Sequence, residues 1–386
     1  MEATDMDVEE IQNRNNCSAS SNRFALKNSI QTNFGDDYVF QIVHKEDWTS
    51  MAVSLSSNTV KLYSPVTGQY VGECGKHSDT INHILLSGSN MLYSCSTDGT
   101  LRAWDTRSFQ QVSSLNAGPS QGVFSFSFGG PGDNLVAAGC KSQILFWDWR
   151  SNMQVACLEE SHMDDVTQVH FVQDQKNKLV SASIDGLICT FDTSGEINDD
   201  DHLESVLNVG TSISKVGLFG GTYDKLWCLT HIETLSIWDL KDSRLEANFE
   251  DARSLASNSW ALGHVDYFVD CHYSTVDDRL WVIGATNGGS LGYFPVAYGG
   301  GMRSILSPEA ILHGGHTGVV RSVLASRDMR NGINQTQGIF GWTGGEDGRL
   351  CCWLSDASSD INHSWISTSL VEKNPKRRKK NRHRPY

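Results

Sequence analysis

None of the ten cysteines in this 386-residue chain forms a Cys-x-x-Cys pair, and no zinc-binding spacing can be assembled from them. Most of them (Cys95, Cys140, Cys189, Cys228 and the adjacent Cys351-Cys352) fall in strand-like apolar runs, where a free thiol packs as a small hydrophobe. No apolar run approaches membrane-spanning length. The first ten residues, MEATDMDVEE, are acidic and lack the pattern of a secretory leader. An intracellular protein with reduced thiols is therefore expected. A phosphate loop is missing too: there is no Gly-x-x-x-x-Gly-Lys-Ser/Thr, and no Gly-x-Gly-x-x-Gly after a strand. No broad basic face is available either. Net charge is −14, and residues 373–386 hold eight Lys or Arg and no acid, so subtracting that tail leaves −22 on the rest. A body this acidic is not expected to bind nucleic acid through its faces. No cofactor and no metal are expected.

What is present is a repeat. Residues 75–107 (GKHSDTINHILLSGSNMLYSCSTDGTLRAWDTR) carry a His near the start, an Asp-Gly turn and Trp-Asp near the end. Between these lie three short alternating apolar segments, at 81–86, 91–94 and 101–104, which are expected to be strands. Asp98-Gly99 is a two-residue hairpin signal. The third-strand aromatics recur at 63, 104, 147, 191, 238, about 293 and 353, close at first to the period of a propeller blade. The expected fold is all-β: a seven-bladed propeller, with blades at 38–75, 81–117, 123–160, 166–209, 213–251, 266–313 and 319–355. The last blade lacks a fourth strand directly after Trp353. Residues 24–30 are expected to supply it and close the ring, with 366–371 as the rival. Residues 1–23 are expected to be disordered, 24–371 to form one propeller, and 372–386 to be a basic disordered tail. Insertions are expected at 251–265 and 326–339, and flexible loops around Gly288, Gly289 and Gly299–Gly301.

His77, Ser94, Asp98 and Trp104 can converge at one end of the second blade. The fourth blade repeats the set as His162, Ser181 and Asp185, with Phe191 in place of Trp. The seventh has His316, Thr343, Asp347 and Trp353 at the same offsets. A hydrolase triad needs an exposed, activated serine and an oxyanion hole. A trio that recurs is expected instead to be a structural staple, in which each polar group satisfies another. Blades one, three, five and six are degenerate: Ser57, Lys141 and Ile232 replace the turn Asp in the first, third and fifth, and the sixth lacks Trp-Asp.

The segments GKHSD…SCSTDGTLRAWD, SHMDDVTQVHF…LVSASIDGLICTFD and GGHTGVVRSV…TGGEDGRLCCW resemble WD repeats of the β-propeller superfamily, over about residues 24–355. The second segment, the TGGEDGRLCCW end and the PKRRKK terminus together resemble the WD repeat-containing protein 89 family of eukaryotes. That resemblance implies a scaffold for protein partners, without catalysis.

Two successive repeats end in Trp-Asp-x-Arg, at Trp104-Asp105-Thr106-Arg107 and Trp147-Asp148-Trp149-Arg150. This resembles the box through which some WD-repeat substrate receptors of cullin-RING ubiquitin ligases dock on their adaptor. Arg107 and Arg150 would offer forked donors on the face opposite the His–Asp turns; the alternative is that each pairs with a neighbouring blade. In the tail, Lys376, Arg377, Arg378, Lys379 and Lys380 form a compact basic run. It is expected to direct nuclear import, with nucleolar or RNA contact through the tail as an alternative. Trp149, Trp260 and Trp365 stand off the repeat and mark either partner surfaces or packing. His264 and His272 show no ligand spacing, and the acidic run at 198–202 is expected to be solvated.

Overall fold

The computed structural model describes residues 22–31, 36–88, 90–199, 202–325 and 339–354. Seven small antiparallel sheets form a seven-bladed β-propeller. Blade two is typical, with strands Ile81–Leu86, Met91–Ser96, Thr100–Asp105 and Gln110–Asn116 paired in chain order. Its Asp98-Gly99 turn depends on the glycine. Gly99 has φ +80°, and an added Cβ would lie 2.7 Å from the Gln121 backbone oxygen.

Alternation along each strand builds the ring, because successive side chains point to opposite sheet faces. In the third blade Val136 and Ala138 pack toward blade two, while Ala137 between them packs toward blade four. The described residues contain seven hydrophobic clusters, one between each pair of neighbouring blades, including one that joins blade seven to blade one. In that last cluster Val39, Met51 and Leu55 meet Trp342 and Leu350, and Trp342 Nε1 donates to Pro65 O at 2.9 Å.

The N-terminal strand Asn22–Gln31 pairs antiparallel with the last strand, Arg349–Leu354, with Ala25 opposite Leu354 and Gln31 opposite Arg349. Its first three residues also run parallel to Ala310–Leu312 of blade six, so the sixth and seventh sheets are continuous through it. Residues 366–371 lie outside the described residues.

The first strand of each blade leaves an edge free toward the axis, and unpaired edges need managing. Five of these strands are bulged at the same place, after Val39, Ile81, Ile213, Phe268 and Val320. Several side chains that follow the bulge clasp the next blade. Gln41 Oε1 accepts Ile84 N–H at 2.8 Å, Ser322 Oγ accepts Ile42 N–H at 3.0 Å, and Lys215 Nζ meets Asp270 Oδ2 at 2.5 Å.

Three expectations are sharpened. Gly299–Gly301 is no flexible loop: Leu291–Gly299 and Met302–Ile305 form a hairpin that turns through these glycines, at φ +98°, +60° and +83°. The 251–265 insertion contains the helix Ala252–Asn258, which buries Ala252 and Ala256 against blades five and six. Trp260 is buried on Phe294, and Trp149 meets Tyr93 and Phe128 edge-on. Of the two readings of these indoles, packing is the one seen; Trp365 lies outside the described residues.

Candidate functional site: internal staples and two exposed arginines

In blade two, His77 enters from the loop before the first strand, Ser94 sits on the second strand, Asp98 on the turn and Trp104 on the third strand. Trp104 Nε1 donates to Ser94 Oγ at 2.9 Å, and Ser94 Oγ lies 2.7 Å from His77 Nε2. His77 Nδ1 lies 3.0 Å from Asp98 Oδ2. The network assigns the proton to Nδ1, so the chain runs Trp to Ser to His to Asp. Asp98 also accepts from Ser78 N–H, Thr100 N–H and Arg102. Burial opposes ionisation, but Thr100, the Ser78 N–H and His77 together hold the Asp98 carboxyl well below the usual range. Burial pushes His77 down despite its carboxylate partner.

Blade seven repeats this wiring. His316 Nδ1 is 3.0 Å from Asp347 Oδ1, His316 Nε2 is 2.8 Å from Thr343 Oγ1, and Trp353 Nε1 donates to Thr343 Oγ1 at 2.7 Å. Blade four has His162 at 3.0 Å from Asp185 and 2.7 Å from Ser181 Oγ, while Phe191 has no donor to give. Chemically, Ser94 and Ser181 are poor nucleophiles. Both are fully buried, and the Ser94 oxygen already accepts the indole N–H.

The degenerate blades use other solutions, which the repeat pattern did not disclose. In blade five Trp238 Nε1 donates to Ser236 on its own strand at 2.8 Å. Beside the turn residue Ile232, Glu233 accepts Phe268 N–H of the next blade at 2.6 Å. Burial raises the Glu233 carboxyl. In blade six Glu309 accepts from Trp281 Nε1 and from Arg279. In blade three a Gln121–Gln143–Glu159 relay occupies the staple end. An acidic residue beside a failed turn motif was the one available signal, at Glu233.

Arg107 and Arg150 stand at the opposite ends of the third strands, with side chains 74% and 70% exposed. Neither ion pair crosses to a neighbouring blade. Arg107 forks onto its own Asp105, with Nε to Oδ1 at 3.1 Å and an η nitrogen to Oδ2 at 2.8 Å. Arg150 is held more loosely, its Nε 3.9 Å from Asp148. It borders a cleft of about 390 Å³ that Leu135, Val155 and Ile197 help to line. Lys376, Arg377, Arg378, Lys379 and Lys380 lie outside the described residues. Within the described residues, no group of three or more His, Cys, Asp or Glu could hold a metal ion, and no helix is long and apolar enough to cross a membrane.

The family model "WD domain, G-beta repeat" matches residues 68–105. The chain is 63% identical to WD repeat-containing protein GTS1 of Arabidopsis thaliana, over 100% of this chain and 99% of that one. It is 29% identical to the WD repeat-containing protein 89 homolog of Dictyostelium discoideum, over 84% of this chain and 85% of that one. A partial likeness, 22% identical over 38% of this chain and 32% of the other, links it to the DDB1- and CUL4-associated factor 10 of Xenopus tropicalis. Among solved structures, a chain in the crystal structure of the mitotic checkpoint complex superposes with TM-score 0.64 at 14% identity, covering 86% of this chain and 91% of that one. That last likeness concerns the fold alone. The identity to the Arabidopsis protein runs the whole length of both chains, and this chain belongs to the WD-repeat protein family.

Proposed function

We propose that the protein is a non-catalytic scaffold that holds protein partners on the faces of its propeller. The observation that carries this reading is the consumption of every candidate catalytic trio by the fold itself. Loops and exposed strand ends at the two faces then remain for recognition. A second reading is favoured by Arg107 and Arg150 together with the likeness to DDB1- and CUL4-associated factor 10: the protein is a substrate receptor that docks on a ubiquitin-ligase adaptor. Two exposed guanidinium forks on adjacent blades suit carboxylates or carbonyls of such a partner.

One capture experiment on the full chain tests both readings. The wild type is expected to retain stable protein partners, and the Arg107→Ala/Arg150→Ala variant to lose at least about tenfold of any DDB1-type adaptor, with its melting temperature nearly unchanged because both ion pairs are exposed. Equal adaptor recovery from the variant overturns the receptor reading. A wild-type chain that retains no partner counts against the scaffold.

The same proposal assigns the protein to the nucleus through the basic run at 376–380. Deleting residues 373–386 from a fluorescent fusion should shift it to the cytoplasm; nuclear accumulation that persists contradicts the assignment.

A further inference from the structure

At the rim of the propeller the first two seams between blades are plugged and the third is open. In blades one, two and three the outer strand bulges at Val71, Val112 and Val155, so that Gly72, Ser113 and Ala156 take equivalent places after the bulge. The turn of the following blade reaches the first two of these places. Phe109, at φ +58° in the turn of blade two, lays its ring on Gly72, where a Cβ would lie 2.3 Å from it. Asn152, at φ +55° in the matching turn of blade three, accepts from Ser113 Oγ at 3.1 Å. Blade four departs from the pattern. Its third strand ends at Asp192 and its fourth begins only at Leu203. With this longer connection, Ala156 faces the cleft of about 390 Å³ that Arg150 borders.

The walls of this cleft are apolar, with Leu135, Val155, Ala156 and Ile197 among them, and Val155 is 53% exposed. The blade-four lip is anchored at both ends. The Thr193 N–H and hydroxyl both donate to Asn177 O, at 2.7 and 2.8 Å. Asp199 Oδ1 accepts the Glu159 and Glu160 N–H groups of blade three, at 3.0 and 3.2 Å. At the cleft's edge, the Arg150 guanidinium makes no hydrogen bond among the described residues. Asp148 Oδ1 is 3.9 Å from it and already accepts the Arg150 and Ser151 backbone N–H groups, at 2.8 and 3.3 Å. Arg107, by contrast, is committed to Asp105 through two hydrogen bonds.

The geometry points to a docking site for a segment of a protein partner between blades three and four. The cleft takes an aromatic side chain, as the seam between blades one and two takes Phe109, and Arg150 takes an Asp or Glu carboxylate close to that residue in the partner's sequence. This inference rests on the scaffold reading and specifies the partner's chemistry. The Phe109 ring on Gly72 is the template inside the same molecule: Ala156 keeps a small residue in the equivalent place, and the ring that would cover it is missing from the chain. Aromatic anchors in a preformed apolar pocket carry much of the energy of such contacts. A free guanidinium beside the pocket favours a carboxylate through forked hydrogen bonds. Glu196, on the blade-four lip, offers an acceptor to the partner's backbone N–H groups. Pairing of a partner strand on the outer edge is not the mode, because the bulge at Val155 interrupts that edge.

Selection of a random peptide library, displayed on phage, against the full chain tests the site. Selected sequences should pair Phe, Tyr or Trp with a nearby Asp or Glu. A fluorescein-labelled copy of the strongest binder, read by anisotropy, should lose at least about tenfold in affinity when its aromatic residue becomes Ala, and as much when the protein carries Val155→Trp, which fills the cleft. Arg150→Ala should cost about tenfold with the acidic peptide and much less with the version in which Asp or Glu becomes the amide. A melting curve on each variant confirms that it is folded, and the exposed Arg150 keeps the test open if Val155→Trp does not fold. No selected binder, binders without the aromatic–acidic pair, or equal affinity of wild type and either folded variant overturns the proposal. If that happens while the wild type still captures protein partners, the cleft falls and the scaffold reading stands; a wild type that captures none counts against the scaffold itself.

Discussion

Asp98→Ala is expected to lower the unfolding free energy by about 3–5 kcal/mol, the cost of leaving several donors around a buried carboxylate without their acceptor. Asp98 collects His77, two backbone N–H groups, the Thr100 hydroxyl and Arg102 around one carboxylate whose side chain is 4% exposed. Removing it leaves a buried imidazole N–H and at least two backbone donors without an acceptor, each costing about 1–3 kcal/mol where water cannot reach. Asp98→Asn should cost less, because the amide oxygen still accepts. The same carboxylate sets an acid limit. Its pKa is lower in the folded than in the unfolded chain, so its contribution is complete above about 3.9, the unfolded value. It is then lost as pH falls below that toward the folded value. Urea unfolding at pH 7 and pH 3 should therefore show a wild-type loss on acidification that Asp98→Asn does not share. An Asp98→Ala variant within about 0.5 kcal/mol of wild type would remove the staple from the account.

Trp353→Ala should cost about 3–5 kcal/mol as well, for a different reason. Trp353 is fully buried between blades six and seven, in the cluster that holds Trp281, Tyr293 and Phe340. Alternation sends its neighbours Cys352 and Leu354 to the other face, against blade one. The indole thus packs one interface from a strand whose other face packs the next. Its removal leaves a cavity in the first and loosens the strand that supports the second. Trp353→Phe keeps most of the volume but loses the N–H to Thr343, and should cost about 1–2 kcal/mol. The difference between the two variants, read from urea midpoints, separates packing from the hydrogen bond. Equal costs would mean that the cavity does not form.

Blades two, four and seven were legible because their staples are local. His, Ser or Thr, and Asp must occupy fixed offsets to meet around one hairpin, and a fixed offset repeats in the chain. What failed to show was carried across blades. Glu233 replaces a missing staple by reaching Phe268 N–H, 35 residues further on, and no period marks that contact. Gly299–Gly301 looked like loop because three glycines in a row carry no apolar pattern. Their positive φ values serve a hairpin instead. Trp149 and Trp260 broke the repeat and so drew attention as surface candidates, yet an aromatic off the repeat can also fill space that the repeat leaves open. Arg107 and Arg150 were placed by their motif, but their pairing with their own Asp side chains is a matter of side-chain reach, which spacing alone leaves open.

The His–Ser–Asp sets fasten the fold from within. A double-mutant cycle on His77 and Asp98, using His77→Ala, Asp98→Ala and the pair, measures that fastening most directly. The staple predicts strong non-additivity: the double variant should be less destabilised than the sum of the singles by at least about 1.5 kcal/mol, since each single strands the other partner. Single effects that add within about 0.5 kcal/mol would contradict it.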